Sequence, residues 1–332
     1  MKYRLLGRTG LRISPLCLGA GNFSESTDQG ETEQIVNLAL DSGINIIDMA
    51  DNYWEGETER FVGRVLKGNG RRQEVIICTK GHYPMGDGPN DQANTRHHLI
   101  EACENSLRRL QTDYVDLYLL HRMSPEVHIE ETLGALTHLV SQGKVRYIGC
   151  STHPAWAVAK AVVLSELKGY ARFVTEQPPY NLLDRRIENE LVPMCLENDL
   201  GIISWSPMAQ GVLAGRYSSS DDYPDGSRAA RRGGIYADRI DAAGLDVGMR
   251  FTELAKTHGI SPAQLAILWV KDQPGITAPI IGPRTVEHLE HLVPVLDMEL
   301  ADDIREACDE LVSPGTAVTD FHNSAPWMKM SL

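Results

Sequence analysis

"NIIDMADNY", residues 45–53, is an apolar run with a charge set into it. Asn45, Ile46 and Ile47 open the kind of stretch that a buried strand requires. Asp48 then interrupts it, and Tyr53 follows five residues on. A carboxylate in apolar surroundings carries a large solvation cost unless a cation or several donors meet it. The stretch therefore poses two linked questions: which sheet buries the run, and what meets Asp48.

Seven further runs of the same character surround it. They are "PLCLGAG" (15–21), "EVIICTK" (74–80), "VDLYLLH" (115–121), "VRYIGCS" (145–151), "RFVTEQ" (172–177), "LGIISWS" (200–206) and "ITAPIIG" (276–282), with "INIIDMA" (44–50) second in order. Each is apolar at nearly every position, as parallel strands covered on both faces are. Amphipathic stretches lie between them, such as "ETEQIVNLALDSG" (31–43) and "NTRHHLIEACENSLRRL" (94–110). In the second, Leu99, Cys103, Leu107 and Leu110 recur at helical spacing, with Asn94 or Thr95 as the N-cap. Gly43 and Gly143 stand where helix C-termini favour glycine.

Strand and helix signals in alternation predict a parallel sheet. Eight units of roughly 35 residues predict a closed (β/α)8 TIM barrel as a single domain over residues 1–332. An open doubly wound sheet is the alternative, but its GxGxxG fingerprint is missing: "GAGNFS" (19–24) carries two of the glycines and then departs. Residues 3–14, with the turn "GRTG", predict an N-terminal β-hairpin that plugs the barrel floor. Residues 216–245 form a long loop after strand seven, and "ADDIREACDELV" (301–312) predicts an extra C-terminal helix.

The 332 residues are 42% apolar and 23% charged, with a net charge of −13, which argues against nucleic acid as a main partner. No apolar run approaches the ~20 residues of a membrane span, and the first residues lack a signal-peptide core. Six cysteines without a CxxC pair read as reduced thiols of a cytoplasmic protein. Oligomeric state has no signature in the sequence.

In barrels of this kind chemistry gathers at the C-terminal ends of the strands. Those ends supply Asp48, Lys80 and His121, with Tyr53 just beyond Asp48, and then Ser151, Gln177, Trp205 and Gly282. Neighbouring strands lie only ~4.8 Å apart, so Lys80 is placed to pair with Asp48. A cation beside Tyr53 would lower its pKa from about 10, making it a general acid near neutral pH. Each residue also has a plainer reading: Asp48 as a turn residue, Lys80 as a snorkelling surface lysine, His121 as a satisfied supporting histidine, Trp205 as core. Their joint placement on successive strand ends favours the chemical one.

These motifs resemble the aldo-keto reductase family over nearly the whole chain. "IIDMADNY" is similar to that family's Asp-Thr-Ala-x-x-Tyr signature, with Met49 in place of Thr. "CTK" (78–80) and "DLYLLH" (116–121) resemble the segments supplying its Lys and His. The resemblance implies a tetrad of Asp48, Tyr53, Lys80 and His121, with Tyr53 as proton donor. It also implies NADPH/NADP+, more than NADH, bound extended across the barrel mouth.

"IGCST" (148–152) and "EQPPYN" (176–181) resemble the segments holding the nicotinamide amide, here Ser151, Thr152 (where Asn is usual) and Gln177. In "SWSPMAQGVLAG" (204–215), Trp205 is implied to stack on the nicotinamide, with Ser206, Pro207, Met208, Gln210 and Gly211 along the pyrophosphate. "IIGPRTVEHLEHLV" (280–293) resembles the adenosine-phosphate segment, implying roles for Gly282, Arg284 and His288. Arg284 is suited to a 2′-phosphate, since guanidinium and phosphate fit as a fork. His288 and Leu292 stand where Gln and Asn are common.

The substrate expected is a small carbonyl or alcohol, and Asn22, Phe23, Trp54, His82, Tyr83 and Arg122 are candidates for its pocket. A metal-dependent barrel hydrolase would need ligands such as His82, His97, His98 and His121. No strand end offers His-x-His, so no metal is expected. Relatives that resemble channel β subunits bind NADPH as regulatory or sensor modules, which is the non-enzymatic alternative. "RRL" (108–110) and "RR" (231–232) are too short for a nucleic-acid patch.

Overall fold

The computed structural model describes residues 2–322. A two-stranded antiparallel hairpin comes first, β1 (Arg4–Leu5) and β2 (Arg12–Ile13). Eight strands follow: β3 (Cys17–Gly19), β4 (Ile46–Asp48), β5 (Ile76–Gly81), β6 (Val115–Leu120), β7 (Val145–Ser151), β8 (Phe173–Gln177), β9 (Gly201–Ser204) and β10 (Ile276–Ile281). All pair in parallel, each with its chain neighbours, and β10 returns to β3 to close the barrel. The (β/α)8 expectation holds.

Helices α1 (Gln29–Asp41), α2 (Glu57–Asn69), α3 (Arg96–Leu110), α4 (Ile129–Ser141), α5 (Ala155–Lys168) and α6 (Leu191–Glu197) connect β3 through β9. Of the two residues expected to cap α3, Thr95 does so, its hydroxyl accepting from His98 N at 3.1 Å. The segment 216–245 is not structureless: it holds α7 (Arg228–Arg232), α8 (Ile235–Asp238) and the start of α9 (Ala242–Thr257). Ser227 Oγ caps α7 by accepting from Ala230 N. Helices α10 (Pro262–Lys271), α11 (Val286–Leu292) and α12 (Asp302–Leu311) complete the chain, α12 being the extra C-terminal helix.

The period-2 alternation of a strand divides the apolar residues into two cores. Ile46, Cys78, Leu117, Leu119, Ile203 and Ala278 point into the barrel, while Ile47, Ile77, Tyr118, Leu120 and Ile202 meet the helical layer. Leu6 and Ile13 of the hairpin region join the inner core fully buried, which closes the floor. The lumen is tight. A Cβ on Gly149 would lie 2.5 Å from Thr175 O and 2.8 Å from Leu119 Cδ2.

The same alternation aims the site. Two residues beyond inward Ile46, Cys78, Leu119 and Ile203 stand Asp48, Lys80, His121 and Trp205. On β8 the count is broken by a bulge: Ile148 and Gly149 are consecutive on β7, but their partners Phe173 and Thr175 are not. The extra residue re-aims the strand, so Gln177 faces the lumen and Glu176 the helical layer.

Candidate active site

Asp48 and Lys80 meet at the barrel mouth. The Lys80 ammonium donates to both Asp48 oxygens at 2.8 Å and to Met49 O at 2.7 Å, so all three of its protons are used. Lys80 is fully buried, and Asp48 holds its pKa above the ordinary lysine value despite the desolvation that opposes it. Gln177 Nε2 adds a third donor to Asp48, at 2.7 Å from Oδ1. Met49, which stands where the family's signature has Thr, points outward into the helical core and is fully buried.

Tyr53 opens a short 3-10 turn, Tyr53–Gly56, in which Trp54 (φ 50°) and Glu55 (φ 54°) adopt left-handed backbone. Its ring centroid lies 5.4 Å from Lys80 Nζ and 5.8 Å from the His121 ring. The expectation of a lowered tyrosine pKa is not met in this state. Burial pushes the phenol above its ordinary value, and Lys80 offsets only part of that. Sequence displays the nearby cation but not the lost water. Burial, with Arg122 and Lys80 nearby, pushes His121 well below the ordinary histidine range, so its ring is neutral at pH 7. Its Nδ1 has no hydrogen-bond partner among the described residues.

A cavity of about 1070 Å³ runs from this cluster across the barrel mouth. Asp48, Tyr53 and His121 line one part, together with Trp54, Tyr83 and Arg122. Ser151, Gln177, Trp205, Ser206, Pro207, Met208, Gln210 and Gly211 line its middle wall, and Gly282, Arg284, His288 and Leu292 also border it. Asn22 lies on its edge, donating Nδ2 to Gly282 O at 2.9 Å. Backbone at Ser206 (φ 60°), Gln210 (φ 60°) and Gly211 (φ 107°) is left-handed, which turns the chain tightly along that wall.

Four expected residues do not line the cavity. Phe23 is fully buried in the helical layer because a turn, Phe23 N to Ala20 O at 2.9 Å, swings it outward. His82 turns behind Tyr83, with its Nδ1 3.1 Å from Asn94 Oδ1 and its ring edge-on to Tyr83. Thr152 sits beneath Trp205, its Oγ1 accepting from the indole N–H at 3.3 Å. Lys80 also lies behind the wall, as the partner of Asp48.

Sequence reading passed over the arginines of the insertion. Arg216, Arg228, Arg231, Arg232 and Arg239 all line the cavity, along with Tyr236. The signal was present in "RAARRGGIYADR" (228–239), where Arg228, Arg231 and Arg232 share helical spacing. Glu25, in the loop after β3, binds Arg231 at 3.0 Å and Arg232 at 2.9 Å, drawing the insertion over the mouth. Two buried groups stand behind the site: Glu176, pushed up to about 8 by burial, and His153, pushed down to about 4.

Residues 15–313 match the family model described as "Aldo/keto reductase family". The chain belongs to that family. Among similar proteins is an uncharacterized oxidoreductase, YrpG, of Bacillus subtilis (strain 168), 38% identical over 94% of this chain and 96% of its own length. The L-glyceraldehyde 3-phosphate reductase of Escherichia coli (strain K12) is 34% identical over 90% of this chain and 88% of its own. A probable voltage-gated potassium channel subunit beta of Oryza sativa subsp. japonica is 33% identical over 92% and 95%. As an aldo-keto reductase, the protein is an NAD(P)H-dependent oxidoreductase acting on the carbonyl/alcohol group. No helix among the described residues is long and apolar enough to cross a membrane.

Proposed function

We propose that this aldo-keto reductase reduces an aldehyde or ketone to its alcohol with NADPH, reversibly, with Tyr53 as general acid. The observation that carries this reading is the Asp48–Lys80 pair buried behind Tyr53, with His121 beside it, at one part of a cavity bordered elsewhere by Arg284. The cavity fits the cofactor: its volume of about 1070 Å³ stands just above the ~300–1,000 Å³ of ordinary ligand clefts, and arginines supply counter-charge for phosphates. Ser151, Gln177 and Trp205 would hold the nicotinamide end, with Thr152 supporting Trp205 from below. Ser206, Pro207, Met208, Gln210 and Gly211 would follow the pyrophosphate, and Gly282, Arg284 and His288 the adenosine phosphate.

A bound reduced nicotinamide supplies hydride to the carbonyl carbon. Tyr53 gives its phenolic proton to the oxygen as negative charge gathers there. The charged Lys80 behind the ring stabilises the phenolate that results, and Asp48 with Gln177 keeps that ammonium in place. His121, neutral, can donate a ring N–H to the same oxygen and orient it. Asn22, Trp54, Tyr83 and Arg122 form the surrounding substrate wall.

Replacement of Tyr53 by Phe tests this directly. NADPH binding should persist while carbonyl-dependent NADPH oxidation is lost; unchanged turnover would refute the assignment. A relative named as a channel subunit beta favours one second reading, an NADPH-binding regulatory or sensor module. Cofactor binding without aldehyde-dependent oxidation above the Tyr53→Phe level would support that instead. Six free, buried cysteines are consistent with the reducing conditions of a cytoplasmic enzyme, and residues 1–332 would act as one barrel domain.

A further inference from the structure

The turn that carries Tyr53 has an uncommon backbone. Three residues in a row after it are left-handed, Trp54 (φ 50°), Glu55 (φ 54°) and Gly56 (φ 84°), and only the last is a glycine. Residues with a Cβ rarely adopt that conformation, and they persist in it only where their surroundings leave no alternative. Helix α2 begins directly after the turn, at Glu57, so whatever fixes the first residues of α2 also fixes the turn.

Glu59, in the first turn of α2, is fully buried and held from two elements. Thr79 Oγ1 donates to its Oε1 at 2.6 Å, and Arg109 Nε on α3 donates to its Oε2 at 2.6 Å. Thr79 and Lys80 are consecutive on β5, and the pleat sends their side chains to opposite faces. Lys80 turns inward to Asp48 and the Tyr53 ring, while Thr79 turns outward to Glu59. Two adjacent strand residues thus hold the tyrosine segment from both sides of the barrel wall. Arg109 braces it from below. A Cβ on Gly56 would lie 2.5 Å from Arg109 Cδ and 2.6 Å from Nε, so the arginine side chain rests against the end of the turn. Two helical turns on, a Cβ on Gly63 would lie 2.7 Å from Arg109 O, which shows how closely α2 and α3 approach. Ser106 Oγ fixes the other end of the guanidinium, accepting from Nη2 at 3.2 Å.

We infer that Glu59, Thr79 and Arg109 are positioning residues for the reaction, holding the left-handed Tyr53–Gly56 turn in the one conformation that sets the phenol in front of Lys80. None of the three lines the mouth cavity. The inference rests on Tyr53 being the general acid, as proposed above, and adds the device that keeps it in place. Without the contacts to Glu59, relaxed backbone becomes accessible to the turn, and the phenol leaves its place beside Lys80. Molecules in that state bind NADPH and carbonyl but transfer no proton, so the loss falls on kcat and spares both binding steps.

Two substitutions of Thr79 in the full chain separate this role from packing. Thr79→Val keeps the shape and loses the donor, whereas Thr79→Ser keeps the donor and loses a methyl group. With NADPH and 4-nitrobenzaldehyde, kcat should fall about tenfold or more in Thr79→Val and stay near wild type in Thr79→Ser. The aldehyde KM and the NADPH Kd should remain within about twofold of wild type in both. Arg109 provides an independent pair that does not depend on how the Thr79 variants fold. Arg109→Met should lose kcat likewise, and Arg109→Lys less, since an ammonium still answers the Glu59 carboxylate. Amide hydrogen exchange over residues 52–57, read by mass spectrometry without substrate, reports on the turn free of turnover. It should quicken in Thr79→Val and Arg109→Met and stay slow in the serine and lysine variants.

Wild-type kcat in Thr79→Val and Arg109→Met would overturn the positioning role and leave the reductase intact. A Thr79→Ser enzyme as impaired as Thr79→Val would also overturn it, because lost packing would then explain both. Exchange over 52–57 that is unchanged in Thr79→Val and Arg109→Met would do the same. Quickened exchange in those variants, with no aldehyde turned over even by the wild type, would uphold the brace on the turn and refute the reductase reading.

Discussion

The amide of Gln177 donates to Oδ1 of Asp48 at 2.7 Å, joining residues 129 positions apart across the barrel mouth. Asp48 is thus held from two strands, by Lys80 on β5 and by Gln177 on β8. The amide nitrogen is committed to the carboxylate, which leaves Oε1 as the group available to a nicotinamide amide.

Loss of that donor should be felt in both stability and turnover. In Gln177→Leu the buried carboxylate loses one of its three donor contacts, a change worth about 1–3 kcal/mol in unfolding free energy. With Asp48 less firmly fixed, Lys80 is less well placed behind Tyr53, and kcat/KM should fall about tenfold or more. Denaturant unfolding and steady-state kinetics on the same variant check the two effects. Wild-type values for both would show that the contact contributes nothing.

The pH profile follows from the raised phenol. Burial holds Tyr53 protonated beyond its ordinary value of about 10. Reduction consumes the protonated form, so its kcat/KM should be flat from about pH 6 to about 9 and decline only in stronger alkali. Alcohol oxidation needs the phenolate, whose share grows about tenfold per pH unit below the pKa, so it should rise across the same interval. Profiles measured in both directions decide this. A reduction rate that climbs with pH would place the proton donor elsewhere.

Glu176 should make stability pH-dependent with the sign opposite to a salt-bridged acid. Its folded pKa is raised to about 8, above an unfolded value near 4.3. Between those values the unfolded chain has released the proton and the folded chain has kept it. Its contribution to stability therefore falls as pH rises from about 4.3 to about 8, by up to about 1.4 kcal/mol per unit, and levels off above. Glu176→Gln retains an oxygen for the His153 N–H, a 3.0 Å bond in the wild type. The variant should gain on the wild type at about pH 8 relative to about pH 5. Urea titrations at the two pH values measure it, and parallel pH dependence in both proteins would contradict it.

Arg284 should discriminate between the two nicotinamide cofactors. It lies half-buried on the cavity wall, with Arg216 and Arg231 adding positive potential. Arg284→Ala should weaken NADPH by about tenfold or more, the range of a charge-assisted contact, and NADH by less than about twofold. Fluorescence titration with each cofactor gives both numbers, and equal losses would remove the 2′-phosphate role.

The barrel was legible because eight strands covered on both faces leave eight apolar runs that no turn chemistry can mimic. Exact extents were not: "PLCLGAG" pairs only over Cys17–Gly19, since pairing depends on neighbours that the run itself does not name. Asp48, Lys80 and His121 were readable as strand ends because alternation carries inward residues straight to the mouth. Phe23 and His82 were misread because a turn just past a strand sets the direction of the next side chain, and apolarity alone does not encode it. The Tyr53 pKa was misread for a different reason. A neighbouring cation is visible in sequence, whereas the loss of water that outweighs it exists only in three dimensions. The arginines of 228–239 were passed over because nothing local indicates that Glu25, some two hundred positions earlier, draws them inward.

The hairpin region carrying Leu6 and Ile13 continues the packing of the barrel interior down to its base. With the lumen filled by side chains and the floor covered, room for small molecules is left to the opposite end. What this chain can accommodate is therefore decided by the loops that follow its strands.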